Sequence, residues 1–144
     1  MSNAPFKPMI YWRYIDDIFG IWLHGEQELV RFHERANQIH PRIQVDLRTS
    51  HSQIEFLDVL VQLGTDGRLS TDLHVKSTDS KSYLHFDSDH PSHTKKAVPY
   101  GLGLRIKRIC TNETDFNKHK ENLKKRLLER EYSQTVVDRE FKKA

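Results

Sequence analysis

Two adjacent carboxylates, Asp16 and Asp17, sit inside the run Tyr11-Trp12-Arg13-Tyr14-Ile15-Asp16-Asp17-Ile18-Phe19-Gly20-Ile21-Trp22, which is otherwise largely aromatic and β-branched. Oxygen donors of this kind suit hard cations, and Mg²⁺ is usually held by one or two carboxylates together with substrate phosphates. Two such ions about 4 Å apart activate an attacking hydroxyl and stabilise the leaving oxygen in phosphoryl transfer. Neighbouring residues of an extended chain point to opposite faces, so the two side chains converge only if a turn twists them together. An ordinary Asp-Asp turn between two strands is the plain alternative. A second cluster, His85, His90 and His93 with Asp87 and Asp89 between them, offers ligands for zinc or another transition metal. Its spacing matches no strong zinc template, and an exposed polar loop explains it equally well. Cys110 is the only cysteine, so neither a disulfide framework nor a cysteine-based zinc site is expected. It would need a histidine partner to act as a nucleophile, and a small core-filling role is the commoner one.

These residues need elements to position them. Met9 to Leu23 reads as two short strands around a tight turn at Asp16-Asp17. Glu26 to His40 reads as an amphipathic helix: Leu29, Phe32, Ala36 and Ile39 recur at three and four, Glu26 and Glu28 complement the helix dipole, and Pro41 ends it. Ile43, Val45 and Leu47 alternate as in a strand. Ile54 to Leu63 is a longer apolar run, Gly64-Thr65-Asp66-Gly67 is a turn, and Leu69, Thr71, Leu73 and Val75 alternate again, so these two runs predict a hairpin. Tyr83, Leu84 and Phe86 suggest one more short extended piece. From Ser92 on, the pattern is helical. Ser92 or Thr94 caps a helix running to about Cys110, weakened by Pro99, Gly101 and Gly103. Thr111 or Asn112 starts a second helix with Phe116, Leu123 and Leu127 inward, and Ser133 caps a third carrying Val136, Val137 and Phe141. The expected class is α+β, an antiparallel body followed by a basic helical lobe.

Charge changes at the same place. Of 144 residues, the first 90 carry 9 basic and 13 acidic side chains, and residues 91–144 carry 14 basic and 7 acidic. A basic segment beside a mildly acidic body suggests a part that faces a polyanion; a solvated Lys/Glu-rich helical surface is the bland counterpart. Lys95, Lys96, Arg105, Lys107, Arg108, Lys124 and Lys125 are the candidate phosphate contacts. No apolar run approaches the roughly 18 residues that span a membrane, so no membrane partner is expected. Met1 to Pro8 lacks a hydrophobic signal core, so no secretory leader is expected.

Tyr14-Ile15-Asp16-Asp17 resembles the Tyr-x-Asp-Asp box of reverse transcriptases, which sits on such a strand–turn–strand. Phe56-Leu57-Asp58-Val59, Thr71-Asp72-Leu73-His74-Val75-Lys76, Ser77-Thr78-Asp79, Tyr83-Leu84, Ser88 and His90-Pro91 follow in the order of the downstream palm of Penelope-like retroelement reverse transcriptases. Lys96 to Cys110, with Arg105-Ile106-Lys107-Arg108-Ile109-Cys110, is similar to the helical segment that comes next, sometimes classed as helix-turn-helix-like. The resemblance covers roughly residues 8 to 141. It implies a partial reverse transcriptase palm over 8–90 and a thumb-like, helix-turn-helix-like segment over 91–144. It further implies RNA-directed DNA polymerase chemistry with Mg²⁺ or Mn²⁺, an RNA template, a DNA primer and deoxynucleotides. On this basis Asp16 is the principal metal ligand, Asp17 its partner, and Tyr14 lies near the primer terminus. A nuclear site is implied in the same way.

The departures shape the expectation. Only 13 residues precede Tyr14, whereas the family places fingers and another catalytic aspartate upstream. That missing half is expected upstream or on another chain. No lysine lies between Lys7 and Lys76, so the general acid is unassigned, with His33 and Arg31 as stand-ins. The chain therefore reads as a polymerase fragment that does not polymerise alone. The alternative is a non-catalytic nucleic-acid-binding module built on the basic C-terminal region, and a third class is an interaction domain that self-associates through exposed sheet edges.

Overall fold

A computed structural model describes residues 6–144; Met1 to Pro5, and with them most of the leader reading, lie outside the described residues. The protein is α+β, with two small antiparallel sheets and four helices among the described residues. The chain forms two compact units, one ending at His51 and one spanning Ser52–Ala144.

The first unit opens with the hairpin β1 (Ile10–Tyr14) and β2 (Asp17–Ile21), in which Tyr14 pairs with Asp17 and Trp12 with Phe19. Cross-strand aromatic pairs stabilise such ribbons; the Trp12 and Phe19 rings stack at 5.7 Å, and Phe19 is the one buried residue among the described residues of this unit. Helix α1 (Glu26–Gln38) begins and ends close to expectation. Trp22 reaches it through the Phe32 ring, 5.2 Å away. The strand expected over Ile43 to Leu47 does not form. The reason is local: Asn37 of α1 takes the part of a neighbouring strand. Val45 N–H donates to Asn37 Oδ1 at 2.6 Å, and Asn37 Nδ2 donates back to Val45 O at 3.2 Å. A side-chain amide satisfies the same donor and acceptor that a ladder would.

The second unit holds a three-stranded meander, β3 (Gln53–Phe56), β4 (Val59–Leu63) and β5 (Leu69–Leu73). The single run expected from Ile54 to Leu63 is thus two strands. Leu57 adopts φ 57°, which reverses the chain between them. The expected turn before β5 is present: Gly64 N–H donates to Arg68 O at 2.8 Å, and Gly67 takes φ 77°, which glycine adopts without steric cost. No strand forms at Tyr83 to Phe86; Phe86 N–H instead donates to Arg130 O at 2.9 Å.

Three helices follow: α2 (Ser92–Ile109), α3 (Glu113–Leu128) and α4 (Gln134–Lys143). Neither Ser92 nor Thr94 caps α2; its N-cap is Pro91, which offers no side-chain acceptor. Asn112 is the N-cap of α3, and Ser133 caps α4 by accepting from Val136 N–H. Pro99 is buried within an α2 that continues past it, and Gly103 lets Phe141 approach so closely that an added Cβ would lie 3.1 Å from its ring. Ile106, Leu123, Leu127, Tyr132 and Val137 form the core, with Phe116, Val136 and Phe141 packed against it. β5 is tied to the α2–α3 junction: Thr71 Oγ1 donates to Ile109 O, and Thr111 N–H donates to Thr71 O at 2.9 Å.

Candidate functional site

The hairpin tip is built from two central residues, Ile15 and Asp16, closed by the Tyr14–Asp17 pair. The turn therefore sits one position earlier than the Asp16-Asp17 turn expected from sequence. Positive φ occurs at Ile15 (53°), a backbone position that glycine takes without steric cost. A β-branched residue there is strained. Arg13 Nε donates to Ile15 O at 2.8 Å and steadies the tip. Tyr14, Asp16 and Asp17 are all exposed. The arrangement presents two carboxylates to solvent from a two-residue turn, which suits an oxygen-seeking dication. Among the described residues, no third carboxylate or histidine joins Asp16 and Asp17 at metal-ligand distance. The stand-in general acids are already engaged: Arg31 pairs with Glu28, and His33 Nε2 contacts Val45 O.

The basic candidates divide sharply. Lys96, Arg108 and Lys125 are exposed, and among the described residues their side chains make no hydrogen bond or ion pair. The other four have structural work. Lys95 Nζ donates to Ser88 O at 3.1 Å and lies 5.2 Å from the centre of the Phe86 ring. Arg105 grips Asp58, with both Nε and a terminal nitrogen on Oδ2 at 2.7 and 2.6 Å. Lys107 Nζ donates to Ala144 O at 3.0 Å. Lys124 pairs with Asp138 at 2.6 Å; that hydrogen bond raises the lysine pKa and lowers the aspartate's. Glu140 is buried, yet Lys143 at 2.7 Å and Arg139 at 2.9 Å hold its carboxyl below the usual range.

The histidines read as a metal cluster do not gather into one among the described residues. His85 Nδ1 accepts from Asp87 N–H at 3.3 Å, His90 Nδ1 lies 3.2 Å from Ser88 Oγ, and His93 is in the first turn of α2. A different trio comes together. Asp72 of β5, Cys110 at the end of α2 and His119 of α3 place their ligand atoms within 4.8 Å of one another. Asp72 Oδ1 accepts from Cys110 Sγ at 3.4 Å and lies 2.9 Å from His119 Nε2. Burial first, and Asp72 beside it, push the Cys110 thiol up to about 11 against a lowering contact from the Leu73 backbone. Sequence reasoning missed this trio because 38 residues separate Asp72 from Cys110, and no local spacing signals their meeting. His119 also lines a cleft of about 350 Å³ with His74, Tyr83, Arg105 and Arg126.

No helix among the described residues is long and apolar enough to cross a membrane. The chain matches no curated protein and no solved structure. Residues 82–142, spanning α2, α3 and nearly all of α4, match the family model described as an animal helix-turn-helix domain, so the C-terminal lobe is similar to a helix-turn-helix segment.

Proposed function

We propose that the C-terminal helical lobe binds nucleic acid through its phosphates. The helix-turn-helix match over α2–α4 carries this reading, and the three unengaged cations Lys96, Arg108 and Lys125 supply the charge for it. Phosphate neutralisation releases counterions, so affinity falls with salt by a log–log slope of about 0.9 per contact on duplex DNA. Fluorescence anisotropy of the full chain on a short duplex, run across a salt series, tests it. The triple variant Lys96→Ala, Arg108→Ala, Lys125→Ala should flatten the slope by about 2.7. Arg105→Ala should leave the slope unchanged, because that side chain serves Asp58. An unaltered slope in the triple variant would overturn the assignment.

A second reading rests on the exposed Asp16 and Asp17 at the hairpin tip and on the resemblance to Penelope-like reverse transcriptases. Here the chain is part of an RNA-directed DNA polymerase, with Asp16 and Asp17 holding Mg²⁺ or Mn²⁺ and Tyr14 near the primer end. The ions would polarise an α-phosphate for attack by a primer 3′-hydroxyl. RNA template, DNA primer and deoxynucleotides are its partners, and the remaining carboxylate comes from outside the described residues. The purified chain alone should synthesise no DNA on a primed RNA template. Asp16→Asn should weaken Mn²⁺ binding without changing affinity for nucleic acid; identical Mn²⁺ binding by both proteins would sink this reading.

A further inference from the structure

Asp72, Cys110 and His119 come from three different elements, and each is fixed independently. Asp72 sits in β5 opposite Leu60. The Thr71 bonds to Ile109 and Thr111 bracket Cys110 on both sides. His119 lies in the middle of α3, and the Asp72 and His119 side chains are 18% and 16% exposed. A carboxylate, a thiol and an imidazole held this closely, mostly out of water, form a donor set whose softness favours zinc over magnesium.

We infer that Asp72, Cys110 and His119 form a zinc site with three protein ligands. Tetrahedral zinc bonds of ordinary length put neighbouring ligand atoms roughly 3.3–3.6 Å apart. The Cys110–Asp72 distance of 3.4 Å already meets this, and the His119–Asp72 distance of 2.9 Å needs to open by only a few tenths of an ångström. Leu73 N–H donates to Asp72 Oδ1 at 2.7 Å, the kind of support a metal-bound carboxylate receives. The balance is simple. One zinc ion enters, one proton leaves from the thiol, and the imidazole stays neutral with its proton on Nδ1 so that Nε2 can bind. Three protein ligands leave a fourth position for water, the composition of open rather than closed zinc sites.

Co²⁺ is the probe that distinguishes a metal site from a hydrogen-bonded trio. The full chain titrated with Co²⁺ should bind one equivalent and develop a thiolate-to-cobalt charge-transfer band, which Zn²⁺ then abolishes. Cys110→Ser should lose the band, and His119→Ala should weaken Zn²⁺ by more than about tenfold. The double variant His90→Ala, His93→Ala should behave as the native chain. Absence of the band in the native chain overturns the inference without reference to any variant, so a variant that fails to fold does not shelter it. Zinc affinity unchanged in His119→Ala, or lost in the His90/His93 variant, overturns it equally.

Discussion

A β-branched side chain at φ 53° is an uncommon thing to find on a hairpin, and Ile15 holds one beside the two carboxylates. Left-handed backbone costs an ordinary residue roughly 1–2 kcal/mol, and asparagine tolerates it through local hydrogen bonding. Ile15 is 73% exposed, so its replacement gives up little apolar contact. Ile15→Asn is therefore expected to stabilise the chain by about 1 kcal/mol. Urea unfolding should show a higher midpoint at unchanged slope. A lower midpoint would mean that Ile15 is covered in solution. The sequence made Asp16 and Asp17 visible because two carboxylates in an apolar run are conspicuous. It could not show that the turn begins on Ile15, since propensity argues against that residue there. Nor could it sort the cations: Arg105 and Asp58 are 47 residues apart, and only folding shows that Arg105 is taken.

At the scale of elements, α4 shows how a short helix is held. Ser133 caps its start, Val137 anchors it in the core, and the buried Glu140 is clasped by Arg139 and Lys143. Lys143 chiefly, with Arg139, draws the Glu140 pKa below the ordinary 4.5, and Lys124 does the same for Asp138. A carboxyl depressed in the folded state favours folding above its unfolded value, and that contribution is lost as pH falls through the folded value. Glu140→Gln should therefore lower Tm at neutral pH, and the gap to the native chain should close as pH falls below 4.5. A gap constant down to strong acid would show that the pairs contribute nothing. Helices α1 to α4 were legible in sequence because apolar spacing and end signals such as Pro41, Asn112 and Ser133 are local. The strands were less so. Ile43 to Leu47 has the alternation of a strand, but Asn37 occupies its hydrogen bonds. Ile54 to Leu63 reads as one strand because nothing in composition announces positive φ at Leu57.

The two units differ in what keeps them folded. The second has a contiguous buried core, with Leu127 and Val137 fully removed from solvent. The first buries Phe19 while Tyr11, Trp12, Tyr14, Ile15 and Ile18 stay exposed on the hairpin. An isolated two-stranded ribbon is marginal in water, because two short strands bury too little apolar surface to offset chain entropy. Local opening free energies follow such differences in burial. Amide hydrogen exchange should therefore run to completion across Ile10–Ile21 well before it does across α3 and α4. Cooperative, equally slow exchange in both regions would show that the hairpin is not left as an exposed ribbon. Repeating the measurement over a dilution series then decides what covers it. Protection that fades on dilution assigns the cover to a second copy of the chain, as exposed apolar surface at a sheet edge favours. Protection independent of concentration requires residues of the same chain. Fast exchange at every concentration leaves the aromatic face, with Asp16 and Asp17 at its tip, free to meet a partner that the polymerase reading requires and the nucleic-acid-binding lobe does not.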